Sequence, residues 1–331
     1  MKNTKFWARA GAALILSMSC GVFMGCQKSA PKAAGTGPLA GKRIAVAQST
    51  LYDEWNNGVH DMFEKIGREL GAAEVNIQDG NSNSETQQKQ LEDFITQKYD
   101  VIFIAPVAES QGINATLDKA KAAGIPVIAF DTTTSWPGLV SHIAWDHAET
   151  GRLSGRYVAD YAKKNLGGKL KVGVLQMLDV PATAVRSQTF KEEIEKGLGK
   201  ENITYVFEQD AARERELADR TVTNNIAKPI DVIWAAVDNG AFGARIALQT
   251  NGVKDTKVVS SGAWGSESFQ TIANNDTYYM MFIGVPPEGI VRMACDTAVK
   301  YFAGDKNIPK EQNIELVVID ASNIDRYRDF F

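Results

Sequence analysis

The 331-residue chain is poor in the residues that build metal, disulfide and nucleophile sites, with three cysteines and three histidines in all. Cys20 and Cys26 fall in or beside an N-terminal apolar stretch and Cys295 stands alone in a helical pattern, so no intrachain disulfide is expected in the mature protein. Cys295 reads as a buried small hydrophobe. His60, His142 and His147 have no Cys or carboxylate partner at ligand spacing, and no metal centre is expected. A phosphate cradle is lacking too: "AVAQSTLYDEW" stands where a G-x-G-x-x-G would follow the first strand, and no G-x-x-x-x-G-K-[ST] occurs. No G-x-S-x-G or convincing Cys–His pairing is present, which leaves no candidate catalytic residue and no cofactor. Positive charge is also short. Lys and Arg number 36 against 40 Asp and Glu, a formal net charge of −4, which argues against nucleic acid as a partner.

What is present begins with an address. Lys2, Lys5 and Arg9 precede "AGAALILSMSCGVFMG", an apolar run of secretory length. It ends in "VFMGC", which resembles the lipobox of bacterial lipoproteins, in which the cysteine is lipidated and becomes the mature N-terminus; here that residue is Cys26, with Phe23 and Met24 where Leu and a small residue are usual. A cleaved secretory peptide with an incidental cysteine is the alternative. Residues 1–25 are thus expected to be a lipoprotein signal peptide, and 26–41, rich in Ala, Gly, Pro and Lys, a flexible tether. The remainder, roughly 290 residues, suits about two domains.

From residue 43 short apolar runs alternate with amphipathic segments. Strands are expected at "RIAVAQS" (43–49), "EVNIQD" (74–79), "VIFIAP" (101–106), "PVIAFD" (126–131) and "VSHIAWD" (140–146). The rhythm restarts with "KVGVLQM" (171–177), "TYVFEQ" (204–209), "DVIWAAVD" (231–238), "KVVSSG" (257–262) and "YYMMFIGV" (278–285). Between them lie helical patterns such as "NNGVHDMFEKIGREL", "GRLSGRYVADYAKKNL" and "GAFGARIALQT", apolar at i, i+3 and i+4. Continuous apolar strands separated by such helices mean parallel sheets covered on both faces. The restart predicts an α/β protein of two doubly wound parallel-sheet lobes joined by a three-segment hinge near 144–146, 283–286 and 311–314. The first lobe is expected over 42–145 plus 285–312 and the second over 146–284 plus 313–331.

Ligands of open α/β sheets bind outside the carboxyl ends of the strands. Those positions read "STLYDEWNN", "DGNSNS", "PVAES", "DTTTSW", "LDVPATAVRS", "VDNGAFGA", "GAWGSES" and "GVPPEG". They collect carboxylates (Asp53, Asp131, Asp179, Asp238), one arginine (Arg186), hydroxyls, amides, and the indoles of Trp55, Trp136 and Trp264. Flat apolar faces beside bidentate hydrogen-bonding groups suit a polyhydroxylated ring. Bland readings accompany each: Asp131 as a solvated strand end, Arg186 in a buried ion pair, Asp238 as an N-cap, Trp264 as packing. Trp145 and Trp234 read as core, and Arg213 and Arg215 as a solvated helix start, with recognition of an acidic sugar as the other reading of that pair.

From about residue 42 onward, "IAVAQSTLYDEW", "GIPVIAFDTTT", "VSHIAWDHAETGRLSGRYVA", "DVIWAAVDNGAFGARIALQTNG" and "VVIDASNIDRY" together resemble the ribose/galactose-type periplasmic sugar-binding proteins, the type I periplasmic binding proteins that serve ABC importers. The resemblance implies that Ser49, Asp53, Trp55, Asn56, Asp131, Thr132, Arg186, Asp238, Asn239 and Trp264 contact the ligand. Asn56 stands where a second aromatic often sits, and Thr132 where an arginine usually follows the aspartate. Val237 replaces an asparagine, Gly284 replaces the glutamine of the second hinge segment, and "SSGAWG" lacks the family's aspartate. These departures break the ribose pattern and leave pentose, hexose, polyol and sugar acid open. The resemblance implies a monomeric solute-binding lipoprotein, held to the membrane outside the cytoplasm, that delivers its ligand to an ABC permease. A sensor presenting a sugar or furanoid autoinducer-type signal to a membrane receptor or kinase is the alternative.

Overall fold

The computed structural model describes residues 36–107 and 111–330. The signal segment, Cys26 and the first part of the tether lie outside the described residues. Residues 36–41, expected to be the end of a flexible tether, are docked: Leu39 is fully buried and its N–H donates to Leu70 O at 2.8 Å. The reason is local, since Leu39 is the one large apolar residue of "GTGPLAG".

Strands and helices alternate through the chain. The first series is β1 (Arg43–Gln48), α1 (Glu54–Glu69), β2 (Glu74–Asp79), α2 (Ser84–Thr96), β3 (Val101–Ile104), α3 (Gln111–Ala122), β4 (Val127–Phe130) and β5 (Ser141–Ala144). The second is α4 (His147–Asn165), β6 (Leu170–Gln176), α5 (Pro181–Leu198), β7 (Ile203–Asp210), α6 (Arg215–Asn225), β8 (Val232–Ala235), α7 (Asp238–Thr250), β9 (Lys257–Ala263), α8 (Ser266–Ala273) and β10 (Tyr279–Gly284). The chain ends with α9 (Pro287–Phe302), β11 (Glu311–Asn313), β12 (Val317–Asp320) and a short 3-10 segment.

Two six-stranded sheets result, ordered β11-β5-β4-β3-β1-β2 and β12-β10-β9-β8-β6-β7. The first is parallel throughout; in the second only β12 runs antiparallel, against β10. The two strand orders superimpose element for element, as the restarting rhythm of the sequence predicts. The chain passes between sheets after β5, after β10 and after β11. β11, "EQN", carries no apolar signal and escapes sequence reading; it forms because its backbone pairs with buried β5.

Period-two alternation explains why each sheet is covered on both faces. In the first lobe Ile44, Val46, Val101, Phe103, Ile128 and Phe130 point to one side, against Val59, Phe63 and Ile66 of α1 and Ile290 and Val291 of α9. Ala45, Ala47, Ile102, Ile104 and Ala129 point to the other, against Leu91 and Phe94 of α2 and Leu117 of α3. Cys295 of α9 is buried in the first cluster. In the second lobe, α4 packs tightly on α5. Gly151 and Gly155, one helical turn apart, permit this: a Cβ at 151 would overlap Thr189 Oγ1 and the Arg186 carbonyl, and one at 155 would lie 2.8 Å from Glu193 Cβ.

Candidate functional site

The strand ends of both sheets face one cleft of about 820 Å³. The first lobe contributes Tyr52 and Asp53 from the β1–α1 connection, Glu54 and Trp55 from the first turn of α1, Asp131 after β4 and Trp145 after β5. The second contributes Arg186 on α5, Arg213 and Arg215 at the start of α6, Asp238, Asn239 and Phe242 on α7, and Trp264 and Glu267 around the start of α8.

Asp131 ends its strand in the left-handed region, φ 59°, a conformation that Asp tolerates better than most residues with a Cβ. Its N–H donates to Ile143 O at 2.9 Å and its carbonyl accepts from His142 Nε2 at 3.1 Å, so the neighbouring strand holds the turn. Among the described residues the carboxylate receives one long bond, 3.3 Å, from Thr132 Oγ1. Burial pushes the Asp131 carboxyl up to about 6, against the opposing pull of that hydroxyl, His142 and Arg186. Thr132 itself is exposed and outside the cleft lining; it supports the aspartate.

Arg186 is buried in the opposite wall. Its Nη1 donates to Ala236 O at 3.2 Å and to Ser261 O at 3.4 Å, and Nη2 donates to His147 Nδ1 at 3.1 Å. Gly262 is what lets the guanidinium lie there, since a Cβ at that position would overlap Nη1. Burial lowers its pKa to about 10, while Asp131 and Asp238 hold it up, so it remains a cation at neutral pH. Because guanidinium only donates, His147 Nδ1 must accept, which places the imidazole proton on Nε2. His147 stays neutral: burial, then Arg186, push it down to about 3.

Asp238 opens α7 as its first helical residue, with Val237 in the capping position, so the N-cap reading does not hold. Its Oδ1 accepts from the Asn239 N–H at 2.9 Å, and burial pushes the carboxyl up to about 6. Asn239 is exposed and ties loops together, donating to Arg213 O at 3.2 Å and accepting from Arg215 Nε at 3.3 Å. Arg213 and Arg215, expected to be a solvated helix start, line the cleft. Each is held by a carboxylate: Arg213 pairs with Asp179, and Arg215 makes a two-pronged bond to Glu267 at 3.1 and 2.6 Å while lying over the Phe242 ring.

Three more expectations change, at Asn56, Ser49 and Trp145. Asp53 caps α1, accepting from Asn56 N at 2.8 Å and from Asn56 Nδ2 at 3.1 and 2.9 Å. Asn56 is thereby occupied with Asp53 and Gln48, and Ser49 accepts from Ser82 N; neither lines the cleft. Trp145, read as core, belongs to the buried cluster and to the cleft wall alike, edge-on to Trp55 at 5.6 Å and to His147 at 4.9 Å. Its position at the end of an apolar strand hid the second role. Trp55 Nε1 donates to Val285 O at 2.9 Å. Trp264 packs on Phe269 and also lines the cleft; a side chain at Gly284 would lie 2.9 Å from its ring, so the indole occupies space the glycine leaves. Trp136 is buried in its own lobe, donating to Asp118.

The arrangement is therefore a cleft between two lobes, with indoles on both sides, one buried guanidinium, and two carboxylates that make few bonds of their own. Residues 44–306 match the family model described as a periplasmic binding protein domain. The ribose import binding protein RbsB of Bacillus subtilis is 26% identical over 90% of this chain and 95% of its own length, and that of Escherichia coli is 28% identical over 81% and 87%. Among solved structures, the periplasmic binding component of the arabinose ABC transporter of Shewanella sp. ANA-3, bound to L-arabinofuranose, aligns with a TM-score of 0.73 at 23% identity, covering 87% of this chain and 95% of that one. A solute-binding protein of Bacillus halodurans with bound myo-inositol aligns at 0.72 and 21% identity, covering 89% and 100%. These structures share its fold, two α/β lobes of the type I arrangement, and the family match over most of its length makes the chain a member of the periplasmic binding protein family.

Proposed function

We propose that the protein is an extracytoplasmic solute-binding component that closes on a small, uncharged polyhydroxylated ligand and hands it, unaltered, to an ABC importer. The observation that carries this reading is the convergence of Asp131 and Arg186 from opposite lobes on one cleft flanked by Trp55 and Trp264. A ligand that touches both lobes favours their closed arrangement, because only there are both sets of bonds made. The indoles cover the C–H faces of a sugar or cyclitol, Asp131 and Asp238 accept hydroxyl protons, and Arg186 donates.

Charge accounting narrows the class. Arg213 and Arg215 are committed to Asp179 and Glu267, and Asp53 to Asn56. The inner groups that remain are one guanidinium and two carboxylates. An acidic sugar would bring a third carboxylate beside these, so neutral sugars and polyols fit better than sugar acids. Ribose, arabinose and myo-inositol, each named for one of the relatives or structural neighbours, are neutral, and none of the three is a sugar acid. Lipidation at Cys26, argued from "VFMGC", would hold the protein at the outer face of the membrane beside its permease.

A thermal-shift panel of D-ribose, L-arabinose, D-galactose, D-allose, myo-inositol, glycerol and D-galacturonate tests the reading, since a ligand bound by the native state alone raises the midpoint. At least one neutral compound is expected to do so and galacturonate is not. Mass spectrometry of the recovered compound should show an unchanged mass. A response confined to galacturonate would overturn the charge argument.

A further inference from the structure

Glu54 belongs to the first lobe, yet its carboxylate is bonded to the second. Its Oε2 accepts from the Ser266 N–H at 2.6 Å and its Oε1 from Ser266 Oγ at 2.9 Å, across 212 residues of sequence. Ser266 is the first residue of α8, and the capping position before it is Gly265, which has no side chain to cap with. Helix N-termini leave their first N–H groups without intrahelical partners and carry positive potential. Glu54 thus supplies in trans the cap that α8 lacks in its own sequence. Gly265 is needed for the approach, since a Cβ there would lie 2.5 Å from Glu54 Oε2.

We propose that Glu54 is an interlobe latch and a positioning residue: by capping α8 only when the lobes are together, it weights the closed arrangement and sets the spacing of the two indoles. The sequence neighbours make the second part concrete. Trp55 follows Glu54 directly, and Trp264 precedes Gly265 directly, and both indoles line the cleft. One carboxylate therefore draws together the loops that carry the two aromatic walls. The bonds lie at an exposed rim, so the latch is screened by salt and strong enough to bias closure without locking it.

The test needs no ligand: incorporation of 5-fluorotryptophan into the full chain and ¹⁹F NMR of the protein alone, with resonances assigned by Trp→Phe variants. Glu54→Ala is expected to lower the closed-to-open ratio by about 2- to 30-fold, the range that N-cap replacements span. The Trp264 resonance, on the far lobe, is the diagnostic for that variant, with buried Trp234 unmoved as the control. Gly265→Ala is expected to open the cleft from the other side, and there Trp55 is the diagnostic; the backbone at 265, φ −134° and ψ 155°, accepts any residue. Glu54→Gln can still accept from the Ser266 N–H through its amide oxygen and, with the direction reversed, donate from Nε2 to Ser266 Oγ, so without the charge it should fall between wild type and Glu54→Ala. The double variant Glu54→Ala/Gly265→Ala should open no further than either single one, because the nearest atom left to the alanine methyl is the Cβ of residue 54, at an ordinary contact distance of 3.9 Å. A stationary Trp264 in Glu54→Ala, or additive opening in the double variant, would overturn the proposal. Since no sugar is added, a mistaken ligand class would leave this result standing.

Discussion

Asp131 carries opposing demands. Its carboxyl is raised to about 6 by burial, so in the folded protein it binds a proton more readily than in the unfolded chain. A group shifted in that direction contributes stability that is complete below its unfolded value near 4 and is lost as pH rises through about 6. At pH 7.5 the ionised carboxylate is thus a cost to the empty protein. Asp131→Asn, which also tolerates φ 59°, is expected to raise the thermal midpoint at pH 7.5 by about 2–4 °C, the worth of about 1 kcal/mol in a protein of this size. The gain should shrink to nothing as pH falls to 4, while affinity for the sugar drops at least about ten-fold, as for loss of a charged hydrogen bond. Scanning calorimetry across that pH range, beside titration calorimetry, measures both. Arg186 makes the complementary case. Arg186→Ala removes the second-largest cause of the low His147 pKa, so the imidazole is expected to titrate higher than about 3, though burial still holds it below the usual range. An NMR titration of His147 reads this directly, and loss of ligand affinity should accompany it.

At the scale of the element, the α4–α5 pair sets where Arg186 stands. Gly151 on α4 faces the Arg186 carbonyl and Thr189, and Thr189 Oγ1 donates to Ala148 O at 2.9 Å. Gly151→Ala must force the helices apart, an overpacking that costs about 1–3 kcal/mol. Chemical denaturation should show that loss, and the displaced α5 should weaken binding even though residue 151 does not line the cleft. The helices also explain which parts of the site could be read in advance. Strands and both sheets follow from apolar runs and their restart, and Asp131 stood out as a charge closing such a run. The first turns of the helices did not. α1, α4, α5 and α7 begin two to four residues before their apolar periodicity, at Glu54, His147, Pro181 and Asp238, because those turns serve the cleft instead of the core. His147, in such a first turn, carries no apolar signal that marks it as part of the site. Arg213 and Arg215 looked solvated because their partners, Asp179 and Glu267, are remote in sequence. Trp145 looked like core because a hydrophobic residue that closes a strand at a cleft is, by composition, indistinguishable from one that ends inside.

For the whole molecule the two lobes meet around groups whose charge state depends on pH, and closure over a ligand removes water from all of them together. Asp131, from one lobe, and Asp238, from the other, both sit at about 6 because of burial. As acceptors of hydroxyl protons they serve when ionised; protonated, each turns a lone pair that faced the ligand into a donor. Each loses about ten-fold in ionised fraction by pH 5, so affinity for a neutral sugar should fall by about 10-fold between pH 7.5 and pH 5 where one is required and by about 100-fold where both are. The direction is opposite to that for stability of the empty protein, which these same two groups favour at low pH. A protein that grows more resistant to heat while releasing its ligand as the medium acidifies is the expected signature. Titration calorimetry and thermal midpoints measured in the same buffers would show it, whereas affinity that stays flat across this range would remove Asp131 and Asp238 from the binding surface.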